Sequence, residues 1–192
     1  MNIVTGKDLI WETDNYDVIL VGTSIYNLLT QGFQSKISLK YPELVVANNS
    51  TPYADRRKYG KRITVDTENG PTVSIMYVCG YPHCKRDFLN YEAFENCMAT
   101  AEIEFQGKKV ASTIIGTSLF DGNGDRDRCL EILEKYSNKI DLTVYDYLQL
   151  YKRVEIAQFL STWNVYKKSD PDKYEELLSH KKEFLDRLYL RW

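Results

Sequence analysis

The chain alternates short apolar runs with stretches whose apolar positions recur at helical spacing. Asp17-Val18-Ile19-Leu20-Val21-Gly22-Thr23 is an apolar run ending in small residues. Unbroken runs of this kind mark strands buried on both faces, as in parallel sheets. A helix is predicted near residues 31–41, stopped by Pro42. Residues 48–59, rich in Asn, Pro, Asp and Arg, read as a loop. Residues 61–66 and 72–79 read as strands around Glu68-Asn69-Gly70-Pro71, where Asn-Gly is a hairpin signal. Residues 88–105 carry Leu89, Ala93, Phe94, Cys97, Met98, Ala101 and Phe105 at helical spacing, and Gln106-Gly107 ends that helix. A strand over 110–115 follows, then a helix over 125–137 with Cys129, Ile132, Leu133 and Tyr136 on one face. A strand over 140–145 closes the series.

Strand–helix–strand alternation needs crossover connections, so it predicts a largely parallel α/β sheet with helices on both faces. Residues 1–148 form this domain. Residues 149–192 differ: 148–167 and 171–190 carry helical patterns, and Ser169-Asp170-Pro171 makes a capped break between them. A C-terminal helical hairpin is predicted there, packed on its own domain or offered to a protein partner.

Composition narrows the function classes. The 192 residues suit one domain with an appendage. A net charge of −2 with no basic block argues against duplex nucleic acid as the main partner, since neutralising phosphates needs clustered Lys and Arg. No apolar run approaches the ~20 residues that span a bilayer, and the N-terminus lacks a signal-peptide pattern. Cys79, Cys84, Cys97 and Cys129 have no paired zinc spacing, so reduced thiols in a cytoplasmic protein are expected. Cys79, His83 and Cys84 lack an obvious fourth ligand, and no metal or cofactor is expected. The 15 tyrosines suit half-buried surfaces and ligand clefts.

Ligands of open α/β sheets bind beyond the carboxyl ends of the strands. Two strand ends stand out. One is Gly22-Thr23-Ser24, leading to Gln31-Gly32-Phe33 at a helix start. The other is Gly116-Thr117-Ser118-Leu119-Phe120-Asp121-Gly122-Asn123-Gly124. Glycines let backbone N–H groups converge on phosphate oxygens, and a helix N-terminus adds favourable charge. Glycine also serves tight turns, so each loop alone is open to a purely structural reading.

In order, these segments resemble the macrodomain family over residues 1–148. Thr5-Gly6-Lys7-Asp8-Leu9 is similar to the family's Gly-Asp-Ile opening, and residues 17–24 to its Asp-Ala-Ile-Val-Asn-Ala-Ala-Asn strand. Gln31-Gly32-Phe33 falls on its Gly-Gly-Gly-Val loop, and Gly60 with the strands after it on its Gly-(Glu)-Ala region. Residues 116–124 fall on its second phosphate loop, and Leu142-Thr143-Val144-Tyr145 on its last strand. Tyr91-Glu92, Ile115-Gly116 and Thr143-Val144-Tyr145 resemble the branch that includes terminal ADP-ribose protein glycohydrolase.

The resemblance implies a three-layer α/β/α mixed sheet and an ADP-ribose-like ligand. Asp8 would accept from the adenine amino group, unless it is a turn or cap aspartate. Leu9 would add a backbone N–H and apolar contact. Gly22, Thr23, Ser24, Gly32 and Phe33 would line the distal ribose and one phosphate. Gly116, Thr117, Ser118, Leu119, Phe120 and Gly122 would cradle the diphosphate, with Phe120 over the distal ribose or simply in the core. The sequence departs from the family where chemistry would sit. Ser24 replaces the hydrolytic asparagine, with Asn27 three residues on, and Gly80 stands at the glycohydrolase lysine, with Lys85 nearest. Asp121 falls on or beside the branch's catalytic aspartate and is the one catalytic candidate, as general acid or base; before Gly122 it also suits a turn. The expected function is therefore binding of ADP-ribose or a related nucleotide, with at most weak hydrolysis. The alternatives are an active ADP-ribosyl hydrolase and a protein-interaction scaffold acting through the C-terminal helices.

Overall fold

A computed structural model describes residues 1–30, 32–80, 89–117 and 124–146. It contains a six-stranded sheet: β1 Asn2–Thr5, β2 Val18–Ser24, β3 Arg62–Val65, β4 Thr72–Cys79, β5 Lys109–Thr113 and β6 Asp141–Asp146. The strand order is β1-β6-β5-β2-β4-β3. All pairings are parallel except β3 with β4, the hairpin signalled by Asn69-Gly70. The helices are α1 Gly32–Lys40, α2 Glu43–Asn49, α3 Tyr91–Glu104 and α4 Arg126–Lys135. The architecture is the largely parallel α/β sheet expected from the alternation, and its one antiparallel pair makes it the mixed sheet implied by the resemblance. The helical hairpin expected over 149–192 lies outside the described residues, beyond the unit Met1–Asp146.

Burial explains which runs became which elements. β2 and β4 are interior strands of the sheet, and almost every side chain on them is buried. Side chains alternate faces along a strand, so β2 feeds two cores. Val18 and Leu20 join Met76, Val78, Val110 and Val144 under Phe94, Cys97, Met98 and Ala101 of α3 and Cys129, Ile132 and Leu133 of α4. Ile19 and Val21 face the other way, toward the side where α1 packs on β2. Local signals fix the helix starts. Asn90 caps α3 by accepting from the Ala93 N–H at 3.0 Å, and Asp125 caps α4 by accepting from the Arg128 N–H at 2.8 Å.

Three segments depart from the expectations. Residues 48–59 are not all loop: α2 runs to Asn49, and a 3-10 turn spans Arg56–Lys58. Pro42 ends α1 and also stands just before α2, where its missing N–H costs nothing. β1 carried no alternation to find, because its side chains are mostly exposed and pairing with β6 alone holds it. Two 3-10 turns, Leu9–Trp11 and Thr13–Asn15, join β1 to β2. No helix among the described residues is long and apolar enough to cross a membrane.

Candidate functional site

The strand order creates one crevice. From β2 the chain leaves through α1 and α2 toward β3 and β4; from β5 it leaves through α4 in the opposite direction, to β6. The carboxyl ends of neighbouring β2 and β5 therefore lie where the connections diverge, which is where open α/β sheets accept ligands. The two sequence-selected loops start from these two strand ends. A groove lined by Tyr16, Asn69, Thr72 and Lys108 lies at the amino ends of the strands, away from the crevice.

On the β2 side, most of the selected side chains already have internal work. A Cβ on Gly22 would collide with Ile115 Cγ2, so glycine there lets the segment after β5 close over β2. Thr23 is wholly buried and donates to the Leu28 carbonyl at 2.5 Å. Ser24 accepts from the Tyr26 N–H at 3.1 Å, and a register shift in the β2–β4 pairing falls between Thr23 and Ser24. What this strand end can offer a ligand is therefore mainly backbone. Gly32 opens α1 at φ +54°, a left-handed conformation that favours glycine, and Phe33 behind it is buried.

The rest of this loop is held from outside. Asn27, at φ +56°, donates from Nδ2 to the Thr51 carbonyl at 2.9 Å and accepts at Oδ1 from Lys58 Nζ. Lys58 is only 6% exposed and also donates to the Ile25 carbonyl at 3.2 Å and to Thr51 Oγ1 at 2.8 Å. Its Nζ lies 3.9 Å from the Tyr77 ring centroid. Burial lowers the Lys58 pKa to about 8. Tyr26 meets Tyr53 edge to face at 5.6 Å.

On the β5 side, the loop's neck is described. Gly124 N–H donates to the Gly116 carbonyl at 2.9 Å, so the two ends of the loop are tied together. Added Cβ atoms at Gly116 and Gly124 would each come within 2.6 Å of Leu89. Leu89 is buried, bridges to Cys79 at the end of β4, and fills the notch the two glycines leave. Gly116 has φ +75°. Thr117 Oγ1 donates to the Ile114 carbonyl at 2.9 Å. Ser118, Leu119, Phe120, Asp121 and Gly122 lie outside the described residues, as do Gln31, His83, Cys84 and Lys85.

Asp8 caps the turn Leu9–Trp11, accepting from the Ile10 N–H at 3.1 Å, and pairs with Lys36 of α1 at 2.5 Å. Leu9 is wholly buried, and its turn packs on α1 and β5. Sequence reasoning missed Lys36, Lys58 and Leu89 as parts of the loop framework. A lysine reads as surface by default, and only the glycine pair Gly116 and Gly124 hinted that something large sits beneath.

Among the described residues no cluster of His, Cys, Asp or Glu could hold a metal. Cys79, Cys97 and Cys129 are buried.

No known family matches the sequence, and no curated protein does. Solved structures do match the fold. A protein of unknown function from Bacteroides thetaiotaomicron superimposes with a TM-score of 0.62 at 19% identity, over 76% of this chain and 98% of that one. The macrodomain of Mycobacterium tuberculosis DarG gives 0.60 at 18% identity, over 74% and 96%. Thermosipho africanus DarTG, solved in complex with ADP-ribose, gives 0.57 at 13% identity, over 76% of this chain and 42% of that one. With its six-stranded mixed sheet between two helical layers, the chain has the macrodomain fold.

Proposed function

We propose that this protein binds ADP-ribose or a related nucleotide metabolite in the crevice between the β2 and β5 loops. One observation carries the reading: two glycine-bearing loops leave adjacent parallel strands at the point where the crossovers diverge. The solved ADP-ribose complex of similar fold supports the choice of ligand. The diphosphate would lie along residues 116–122, with Gly116, Thr117, Ser118, Leu119, Phe120 and Gly122 offering backbone N–H groups and space. Gly22, Thr23, Ser24, Gly32 and Phe33 would form the facing wall. Asp8 would accept from the adenine amino group while keeping its cap and its pairing with Lys36, and Leu9 would line that end. Binding through backbone groups survives substitutions such as Ser24 and Gly80 that remove family side chains. Hydrolysis would rest on Asp121, and residues 149–192 would form an appended helical extension.

Isothermal titration with ADP-ribose, ADP and NAD tests the reading. Saturable binding of ADP-ribose is expected; no heat with any of the three at millimolar concentration would overturn it. Release of ADP-ribose from a modified protein, lost in Asp121→Ala, would extend the reading to an enzyme.

A further inference from the structure

We infer that Lys58 is a positioning residue for the ligand crevice: its buried ammonium holds the loop after β2 in the shape that forms one wall. This rests on the ADP-ribose reading only for the ligand, since the geometry concerns the loop itself.

An ammonium has three N–H donors and no acceptor. Lys58 Nζ faces three oxygens: the Ile25 carbonyl at 3.2 Å, Thr51 Oγ1 at 2.8 Å and Asn27 Oδ1. Two of them belong to the loop after β2. The third belongs to the segment following α2, so donors and acceptors match one to one across two pieces of chain. The Tyr77 ring of β4 closes the remaining side, where the face of an aromatic ring attracts a cation. Among the described residues no carboxylate pairs with Lys58. Asp55 acts on it only from a distance, and its carboxylate is bound by Arg57 at 2.7 Å.

A buried charge without a counter-ion is costly. Its presence here needs neutral dipoles that only an ammonium satisfies together. The same two segments meet at further points. Ala54 N–H donates to the Ile25 carbonyl at 3.0 Å, and Thr51 Oγ1 lies 3.2 Å from Asn27 Oδ1. Asn27 holds a left-handed backbone inside this frame. Removing the ammonium withdraws the one donor that joins all three oxygens and leaves the Ala54 N–H, the Thr51 hydroxyl and the Asn27 amide to hold the two segments together, so the loop gains freedom that a ligand must then remove. A preorganised wall lowers that cost of binding.

Hydrogen–deuterium exchange and calorimetry on the full chain at pH 7 test the inference. Lys58→Met keeps the stem and drops the charge. Exchange in residues 25–30 and at Ala54 is expected to rise at least about tenfold, with the amides of β2, β4 and β5 unchanged. ADP-ribose affinity is expected to fall about tenfold. In Lys58→Ala, propylammonium is expected to restore protection by replacing the missing stem and charge; tetramethylammonium, which has no N–H, is not. Unchanged exchange in 25–30, or rescue by both cations alike, overturns the inference. If Lys58→Met does not fold, Thr51→Val carries the test. It leaves Lys58 in place and withdraws one acceptor, and a rise spread evenly over the sheet overturns the inference. Wild-type protein that binds no ADP-ribose ends the proposed function and leaves the exchange result to decide the role of Lys58. Wild-type binding left intact by Lys58→Met, with the loop loosened, overturns the inference alone.

Discussion

The two strand ends at the crevice are built on opposite kinds of contact. The loop after β2 is held by polar contacts: Lys58, Asn27 and Thr51 pin it to the segment behind α2. The neck after β5 is set by shape: Gly116 and Gly124 meet there and leave a notch that Leu89 fills. Polar clamps are sensitive to charge and tolerant of small changes in volume. Apolar notches are the reverse, because a close-packed contact has no room for a methyl group. The two walls of one crevice therefore answer to different perturbations.

The notch should give the largest effect. Leu89→Ala removes a buried leucine side chain and is expected to cost about 2–5 kcal/mol in urea unfolding. Gly116→Ala carries two penalties, contact with Leu89 at 2.6 Å and a φ of +75°. In the Leu89→Ala background only the backbone penalty should remain, about 1–2 kcal/mol. A double-mutant cycle measures the difference. Strict additivity would show that Leu89 and Gly116 do not share the notch and would break the comparison at its apolar side.

How much of this was legible in the sequence differs between the loops. The apolar runs gave the central strands β2 and β4, because burial on both faces leaves a run with no polar positions. Glycine marked both strand ends, and the neck at Gly116 and Gly124 is where its lack of a side chain is used. The polar clamp had no local signal. Lys58 lies far along the chain from Asn27, in a stretch whose Asn, Pro and Arg content reads as loop, and its partners include a backbone carbonyl that carries no sequence mark. β1 was equally silent, since an exposed edge strand has no pattern of its own.

Alkaline titration sharpens the comparison next. The helical face that shares its core with Leu89 holds Cys97 and Cys129, whose thiols burial pushes up to about 12. Both are protonated in the folded chain and ionise near the ordinary thiol value once unfolded. At these two thiols the folded state thus holds more protons above about pH 9, and their contribution to stability falls as pH rises through that range, while Lys58, held near 8 by burial when folded, shifts stability the other way. The loss is about 1 kcal/mol for each thiol by pH 10. Denaturant unfolding of wild type and Cys129→Ala at pH 8 and pH 10 isolates one thiol from the opposing Lys58. Over that interval the variant should lose about 1 kcal/mol less than wild type, and a thiol reagent at pH 8 should not label either residue before unfolding. The same change in both proteins would assign it to other groups.

The smallest effect is expected at Asp8, which belongs to neither wall but ties the end of β1 to α1, the helix that begins where the first loop ends. Its carboxylate does two things at once, capping the turn Leu9–Trp11 and pairing with Lys36. Asp8→Ser retains an oxygen for the Ile10 N–H and discards the pairing. Lys36 is about half exposed, and ion pairs with a solvent-facing partner contribute little, so the stability change should stay within about 0.5 kcal/mol. Asp8→Ala also removes the cap and should cost about 1 kcal/mol. The two variants separate stability from recognition. If the adenine amino group needs this carboxylate, both variants weaken ADP-ribose to a similar degree while their stabilities differ. If Asp8→Ser binds like wild type and only Asp8→Ala weakens, the aspartate serves the turn alone, and adenine recognition has to come from elsewhere in the crevice.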